Sequence, residues 1–199
     1  EFYEDEPFFD EETAAFDDTP ADEISDDSPA PPSVAAGEAS YREADCPFDP
    51  PRGYDLECGY LAVPENRTRA DSRLIELAVV LVHFAGPDAD GVLYLAGGPG
   101  GSAITDFIDA PDSWEYPFTQ GRTLILLDQR GTGYSLPTLD CPELAEESGG
   151  LFAANPEVEC NERLLEEGID LTGYNTVENA ADVAALRVAL GYDQWDLLG

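Results

Sequence analysis

The chain contains no lysine and no methionine, and His83 is its single histidine. A Walker-type phosphate loop requires Lys followed by Ser or Thr after its last glycine, so the missing lysine excludes a nucleotide P-loop. With no Met anywhere, Glu1 is expected not to be a natural start, and any targeting segment is expected to precede it. No stretch reaches the roughly 18 consecutive apolar residues of a membrane helix, so no membrane span is expected. Positive charge is scarce: nine basic residues, all Arg, face 43 acidic ones, for a formal net charge of −34. Nucleic acid and anionic membranes demand the opposite sign and are not expected as partners.

What is present suffices for one ordinary domain and a tail. The 199 residues are 43% hydrophobic, enough for a core. Residues 1–45 are the exception, being rich in Asp and Glu against the single Arg42, with five prolines and few aliphatics. Self-repulsion and scarce apolar area make this stretch an expected disordered acidic tail or linker. The folded domain is expected over 46–199.

Four cysteines, Cys46, Cys58, Cys141 and Cys160, form two local pairs outside any C-x-x-C spacing. An even count of this kind favours two disulfides and an oxidising, extracytoplasmic location over a zinc site. Three pairings are possible, of which Cys46–Cys58 with Cys141–Cys160 is the expected one; four reduced buried thiols are the alternative. Neither a metal nor a cofactor is expected.

Glu57 to Pro64 and Leu74 to Phe84 read as two strands joined by the polar, Arg-rich turn 66–72, an antiparallel hairpin at a sheet edge. Asn66-Arg67-Thr68 within that turn fits the glycosylation sequon. Val92 to Ala96 has the content of a buried parallel strand and runs into Gly97-Gly98-Pro99-Gly100-Gly101-Ser102. Glycines there let main-chain N–H groups approach an anion closely, whether a phosphate or the oxyanion of acyl transfer. A proline, which has no N–H, interrupts the cradle and spoils the dinucleotide fingerprint G-x-G-x-x-G, leaving the oxyanion reading.

Ser102 to Asp109 is expected to begin a helix. Thr123 to Asp128 is a second buried strand, ending in Asp128-Gln129-Arg130-Gly131-Thr132-Gly133-Tyr134-Ser135. A charged turn at the carboxyl end of a strand is where open α/β sheets place function, but Asp128 and Arg130 are read here as tying the loop down. A helix is expected near Pro156 to Glu167. Asn175 and Glu178 have the spacing of a capping box, opening a helix with Ala180, Val183, Ala184, Leu186 and Leu190 on its buried face and Gly191 as its stop. Gln194 to Gly199 is a short strand ending on glycine.

Strands separated by helices, with Gly-rich turns at their carboxyl ends, predict an α/β fold with a doubly wound sheet. The three motifs Gly97 to Ser102, Asp128 to Ser135 and Trp195 to Gly199, with the helix between the last two, resemble the amino-terminal half of a proline iminopeptidase-type α/β-hydrolase. Cys58 to Arg67 and the cysteine pairs are most similar to the secreted, tripeptidyl aminopeptidase-like branch. The resemblance implies a mostly parallel, doubly wound sheet with an antiparallel edge hairpin, truncated at the nucleophile elbow. It implies a serine hydrolase, an aminopeptidase or esterase acting on peptide or ester substrates through an acyl-enzyme, located outside the cytoplasm, secreted or at the cell surface.

By that resemblance Gly98 supplies an oxyanion N–H, and Gly97, Pro99, Gly100 and Gly101 shape its loop. Gly199 resembles the first glycine of the G-x-S-x-G elbow, which puts the serine two places further on. The acid and the histidine follow it in family order, so the carboxyl-terminal half of the same domain is required and the chain alone is expected to be inactive. Many relatives carry a His before the glycines, where this chain has Ala96. His83 comes too early to be the catalytic imidazole and is read as structural; Ser102 and Ser135 lack the elbow and are read as cap or loop hydroxyls. The alternative is a non-catalytic binding protein, or an inactive truncated hydrolase, with an acidic tail.

Overall fold

A computed structural model describes residues 39–85, 89–114, 119–145 and 155–199. The acidic tail expected at 1–45 therefore lies outside the described residues up to residue 38. Its last part is a strand: Ser40–Glu43 (β1) pairs antiparallel with Leu56–Pro64 (β2). The cause lies in β2, whose outer edge would otherwise present unpaired N–H and C=O groups. Gly59 admits the neighbour, since a Cβ there would stand 2.5 Å from the Arg42 carbonyl oxygen. Arg42 also reaches over β2 to bond the Glu76 carboxylate from Nη2 at 2.7 Å.

β2 and Leu74–His83 (β3) form the expected antiparallel hairpin. Gly91–Tyr94 (β4), Thr123–Leu127 (β5) and Asp196–Leu198 (β6) complete a six-stranded mixed sheet in the order β1-β2-β3-β5-β4-β6. β3 meets β5 antiparallel, and β4 lies parallel to both β5 and β6. The near-continuous apolar runs of β3 and β5 follow from burial on both faces. Ala78, Val80, Val82, Val92, Leu124 and Leu126 face the helix Ala103–Asp109 (α1) and its Ile104 and Phe107. On the other side Leu77, Val79, Leu81, Leu93, Ile125 and Leu127 pack with Ala185 and Leu186 of the helix Thr176–Ala189 (α3). One helix covers each face, as a doubly wound sheet requires.

Pro156–Glu166 (α2) carries a satellite core of Cys160 and Leu164 with Ile169, against Leu139, Leu171 and Tyr174. The cysteines join in the local pairing, Cys46–Cys58 and Cys141–Cys160, with Cα separations of 5.1 and 5.4 Å.

α3 keeps part of the expected face, with Leu186 buried and Val183 and Leu190 packed against the same core, but the face is shifted. Ala180 is exposed, and the buried positions are Glu178, Ala181, Asp182, Ala185 and Leu186. Asn175 does cap the helix through Glu178 N–H, at 3.0 Å. The Glu178 carboxylate turns instead to Arg67, accepting its backbone N–H at 2.9 Å and its Nη1 at 2.6 Å. One turn on, Asp182 accepts Arg130 Nε and Nη2 at 2.7 and 2.8 Å and Arg67 Nη2 at 2.7 Å. These carboxylates, at i and i+4 on one face, hold the helix rotated toward the two guanidinium groups.

Arg130 is fully buried and also donates from Nη1 to the carbonyls of Glu65 and Gly173, at 2.6 and 2.5 Å. Glu65 in turn accepts Arg73 Nη2 at 2.7 Å and the Tyr174 hydroxyl at 2.9 Å. Asn66 is drawn into the same ground: its amide donates to Asp170 and Thr172 and its oxygen accepts from Thr68. The sequon is therefore buried and hydrogen-bonded at the atom a glycan would need.

Replacing a buried ion-pair partner leaves the others uncompensated. Arg130→Met is expected to cost about 3–5 kcal/mol in urea unfolding, whereas Arg42→Ala, at an exposed pair, is expected to cost under about 1 kcal/mol.

Candidate functional site

The Gly-rich turn leaves the carboxyl end of β4 and is held at three points. Leu95 N–H bonds the Leu198 carbonyl at 2.9 Å, fastening the entry to β6. Gln129 Nε2 donates to the Ala96 carbonyl at 3.2 Å. At the exit Ser102 caps α1, its hydroxyl oxygen accepting Thr105 N–H at 3.0 Å while its O–H points at the Asp128 carboxylate, 2.9 and 3.0 Å from the two oxygens.

Between these points Gly101 N–H bonds Gly97 O at 3.0 Å, closing the turn. Gly98 stands at φ +130°, in the region that favours glycine, and is exposed. Among the described residues its N–H makes no hydrogen bond within the turn. A Cβ at Gly101 would sit 2.6 Å from Gly97 O, so that glycine is required by the close approach of its own turn. β6 ends alongside: a Cβ on Gly199 would stand 3.5 Å from Leu95 O. The turn and the end of the last strand thus share the same end of the sheet.

Asp128 underlies the arrangement. It is fully buried at the end of β5 and accepts the N–H groups of Ile104, at 3.1 Å, and Tyr134, at 2.9 Å, besides the Ser102 hydroxyl. Burial pushes its carboxyl above the usual carboxylate range, and the N–H groups of Tyr134 and Ile104 with the Ser102 hydroxyl pull it back. The turn after it folds tightly over this carboxylate, and a Cβ at Gly133 would collide with Oδ2. Ser135 donates to the Asp128 carbonyl at 2.6 Å and accepts Ala78 N–H at 2.9 Å, knitting β5 to β3. Asp128 and Arg130 therefore tie the loop down, and Ser102 and Ser135 are spent as cap and loop hydroxyls.

His83 lies elsewhere. Its Nδ1 is 3.2 Å from Thr123 Oγ1, and Thr123 pairs with Gly91, the first residue of β4, whereas the Gly-rich turn follows the last. The disulfides are likewise apart from the turn, one on β2 and one on α2. Cys141, Glu143 and Cys160 lie close enough together to suggest a metal set, but both sulfurs are joined to each other and Glu143 is engaged by Arg163. The Gln129 amide and the Arg67, Asp182 and Glu65 side chains are contributions that sequence patterns miss. Gln129 alone has a local signal, standing between the two charged residues of the strand-end motif.

No protein-family model matches the sequence, and the search of curated proteins gives no match. Among solved structures the chain is similar to a proline iminopeptidase-related protein from Thermus thermophilus, at 24% identity and a TM-score of 0.40, over 72% of this chain and 35% of that one. The chain thus spans about a third of the length of that protein, and no residue role is taken from it.

A folded-state pKa raised above the unfolded value means that the ionised Asp128 opposes folding, so its contribution to stability falls as pH rises through the interval above the usual carboxylate pKa. Asp128→Asn is expected to abolish that component in urea titrations across pH 4 to 7. It is also expected to lower stability at pH 7 by about 1–3 kcal/mol, because an amide NH2 faces donors that need an acceptor.

Proposed function

We propose that this chain is the oxyanion-binding portion of an extracytoplasmic serine hydrolase, an aminopeptidase that removes amino-terminal residues from peptides through an acyl-enzyme. The observation that carries the reading is the exposed Gly98 N–H, without a partner among the described residues, on a turn beside the end of β6. A donor so fixed is suited to the negative charge that develops on a carbonyl oxygen during acyl transfer. In this reading a serine two places beyond Gly199 attacks the carbonyl, and Gly98 N–H with the amide after that serine holds the tetrahedral oxyanion. Gly97, Pro99, Gly100 and Gly101 shape the loop. The acid, the histidine and the substrate-selecting segments belong to the carboxyl-terminal half of the same domain. Leu197, 61% exposed on the sheet face that α3 covers elsewhere, is ground such a half would bury. The two disulfides support a location outside the reducing cytoplasm.

A second reading, a non-catalytic interaction protein, draws on the distance of His83 from the turn, which leaves no described imidazole for general-base work.

Extending the reading frame past Gly199 and treating the product with a fluorophosphonate separates the two. Covalent labelling, with turnover of chromogenic aminoacyl substrates, is expected of the extended protein, and no labelling is expected of residues 1–199 alone. Absence of label on the extended protein selects the interaction reading. In the active protein Gly98→Ala keeps the N–H but puts a side chain at φ +130°, which L residues rarely adopt. The displaced donor is expected to lower kcat by up to about 10²–10³ with KM little changed, since it acts on the transition state.

A further inference from the structure

The two disulfides differ in their electrostatic surroundings: both have carboxylates close by, but among the described residues only one has a guanidinium beside a sulfur. Cys46–Cys58 borders an open hollow lined by Glu43, Asp45 and Glu57. Cys58 is itself a buried member of the main core on β2. A thiolate approaching this bond meets carboxylates, and any thiolate released from it stays among them.

Cys141–Cys160 also has a carboxylate near it, Glu143, with an oxygen within 4.8 Å of both sulfurs, but its access and its cationic neighbour differ. Cys160 is 2% exposed within α2, while Cys141 is half-buried and precedes the short helical turn Pro142–Ala145. Arg163, three residues beyond Cys160 on the same helix, has its Nη2 3.9 Å from Cys160 Sγ. The guanidinium is held there by the Asp140 carbonyl at 2.8 Å and by Glu143 and Glu167. A cation fixed beside one sulfur favours its departure as a thiolate, because thiol–disulfide exchange runs faster when the leaving sulfur is the better-stabilised anion. Access favours attack on the other sulfur.

We infer that Cys141 is a thiol-modification site, taking up a small-molecule thiol of the glutathione class as a mixed disulfide while Cys160 leaves as a thiolate beside Arg163. The thiolate of the small molecule attacks Cys141 Sγ. A new S–S bond forms there, the Cys141–Cys160 bond breaks, and its electron pair goes to Cys160 Sγ without net proton transfer. A second thiolate can displace Cys141, oxidising two small thiols to their disulfide and reducing the protein bond to two thiols. The structural consequence falls on the satellite core of Leu164, Ile169, Leu139 and Tyr174, which this bond clamps to α2, and not on the sheet.

The test is timed reaction of the full chain with reduced glutathione under native conditions, acid quenching, alkylation and peptide mass mapping. The Cys141–Cys160 bond is expected to open on the order of tenfold faster than Cys46–Cys58, with glutathione on Cys141. Arg163→Gln is expected to slow that opening and Arg163→Lys largely to restore it, and the preference is expected to vanish in urea, where the surroundings are lost. Equal rates in the native state, or glutathione found chiefly on Cys160, overturn the inference. Should Arg163→Gln melt at a markedly lower temperature, the sulfur that carries glutathione in the unsubstituted chain decides by itself.

Discussion

Three consecutive residues at the end of β5 hold the described fold together. Asp128 is turned to the α1 side of the sheet, where it gathers Ser102, Ile104 and Tyr134. Arg130 is turned to the α3 side, where it gathers Asp182 and the carbonyls of Glu65 and Gly173. Gln129, between them, bonds Ala96. Strand alternation would send Asp128 and Arg130, two residues apart, to the same face. But β5 ends at Leu127 and the chain is turning by Arg130, so one short segment anchors a helix on each side and the turn in the middle. Burying a carboxylate and a guanidinium is costly unless each is surrounded by partners, and the partners here come from β2, α1, α3 and the loop following the tripeptide. The cost of leaving any one of them unmatched is what makes this arrangement specific.

The charge composition explains which cation does this work. In a chain carrying 43 acidic residues and nine Arg, carboxylates compete for few cations. The buried Glu65, Glu178 and Asp182 have secured them, while Asp128 is held by N–H groups and a hydroxyl. Arg67 serves Glu178 and Asp182, Arg73 serves Glu65, and Arg130 serves Asp182. Each uses two or more donors of a planar fork, which a lysine ammonium does not offer in fixed directions. The absence of lysine thus matters inside the protein as well as on its surface. Exposed acidic groups outside this network gain nothing comparable, since solvent screens them.

Features carried by local patterns are legible in the sequence. The apolar runs announce β3 and β5, the glycines and Ser102 announce the turn and the start of α1, and Asn175 marks the start of α3. What stays hidden depends on partners far along the chain. β1 exists because Gly59, some way downstream, leaves room for Arg42 and Tyr41, and nothing within an acidic stretch announces that. Hydrophobic periodicity finds Val183, Leu186 and Leu190 but sets the face of α3 off-centre, because it counts Glu178 and Asp182 as solvent-facing, whereas Arg67 and Arg130 turn them inward. The reciprocal half of the capping box is lost to the same competition, a buried guanidinium being a stronger partner for a carboxylate than a helix-end N–H. At the site, glycine spacing identifies the turn but gives no hint of the Gln129 amide that fixes its entry.

That fixing explains how the turn can leave a donor unused. A short loop normally satisfies its N–H groups internally, and Gly101 does so with Gly97. Gly98 is spared because the loop needs no further bond to keep its shape: Leu95 is fastened to β6, Ala96 to Gln129, and Ser102 to Asp128. Exposure lets water satisfy the free N–H at little cost, and a ligand oxygen can replace that water without moving the backbone. Orienting a donor before the ligand arrives removes the ordering penalty from the binding step. Here that orientation comes from a buried carboxylate and an amide side chain on the neighbouring strand, outside the glycines themselves. The proposed chemistry at Gly98 therefore depends on β5 as much as on the turn that carries it.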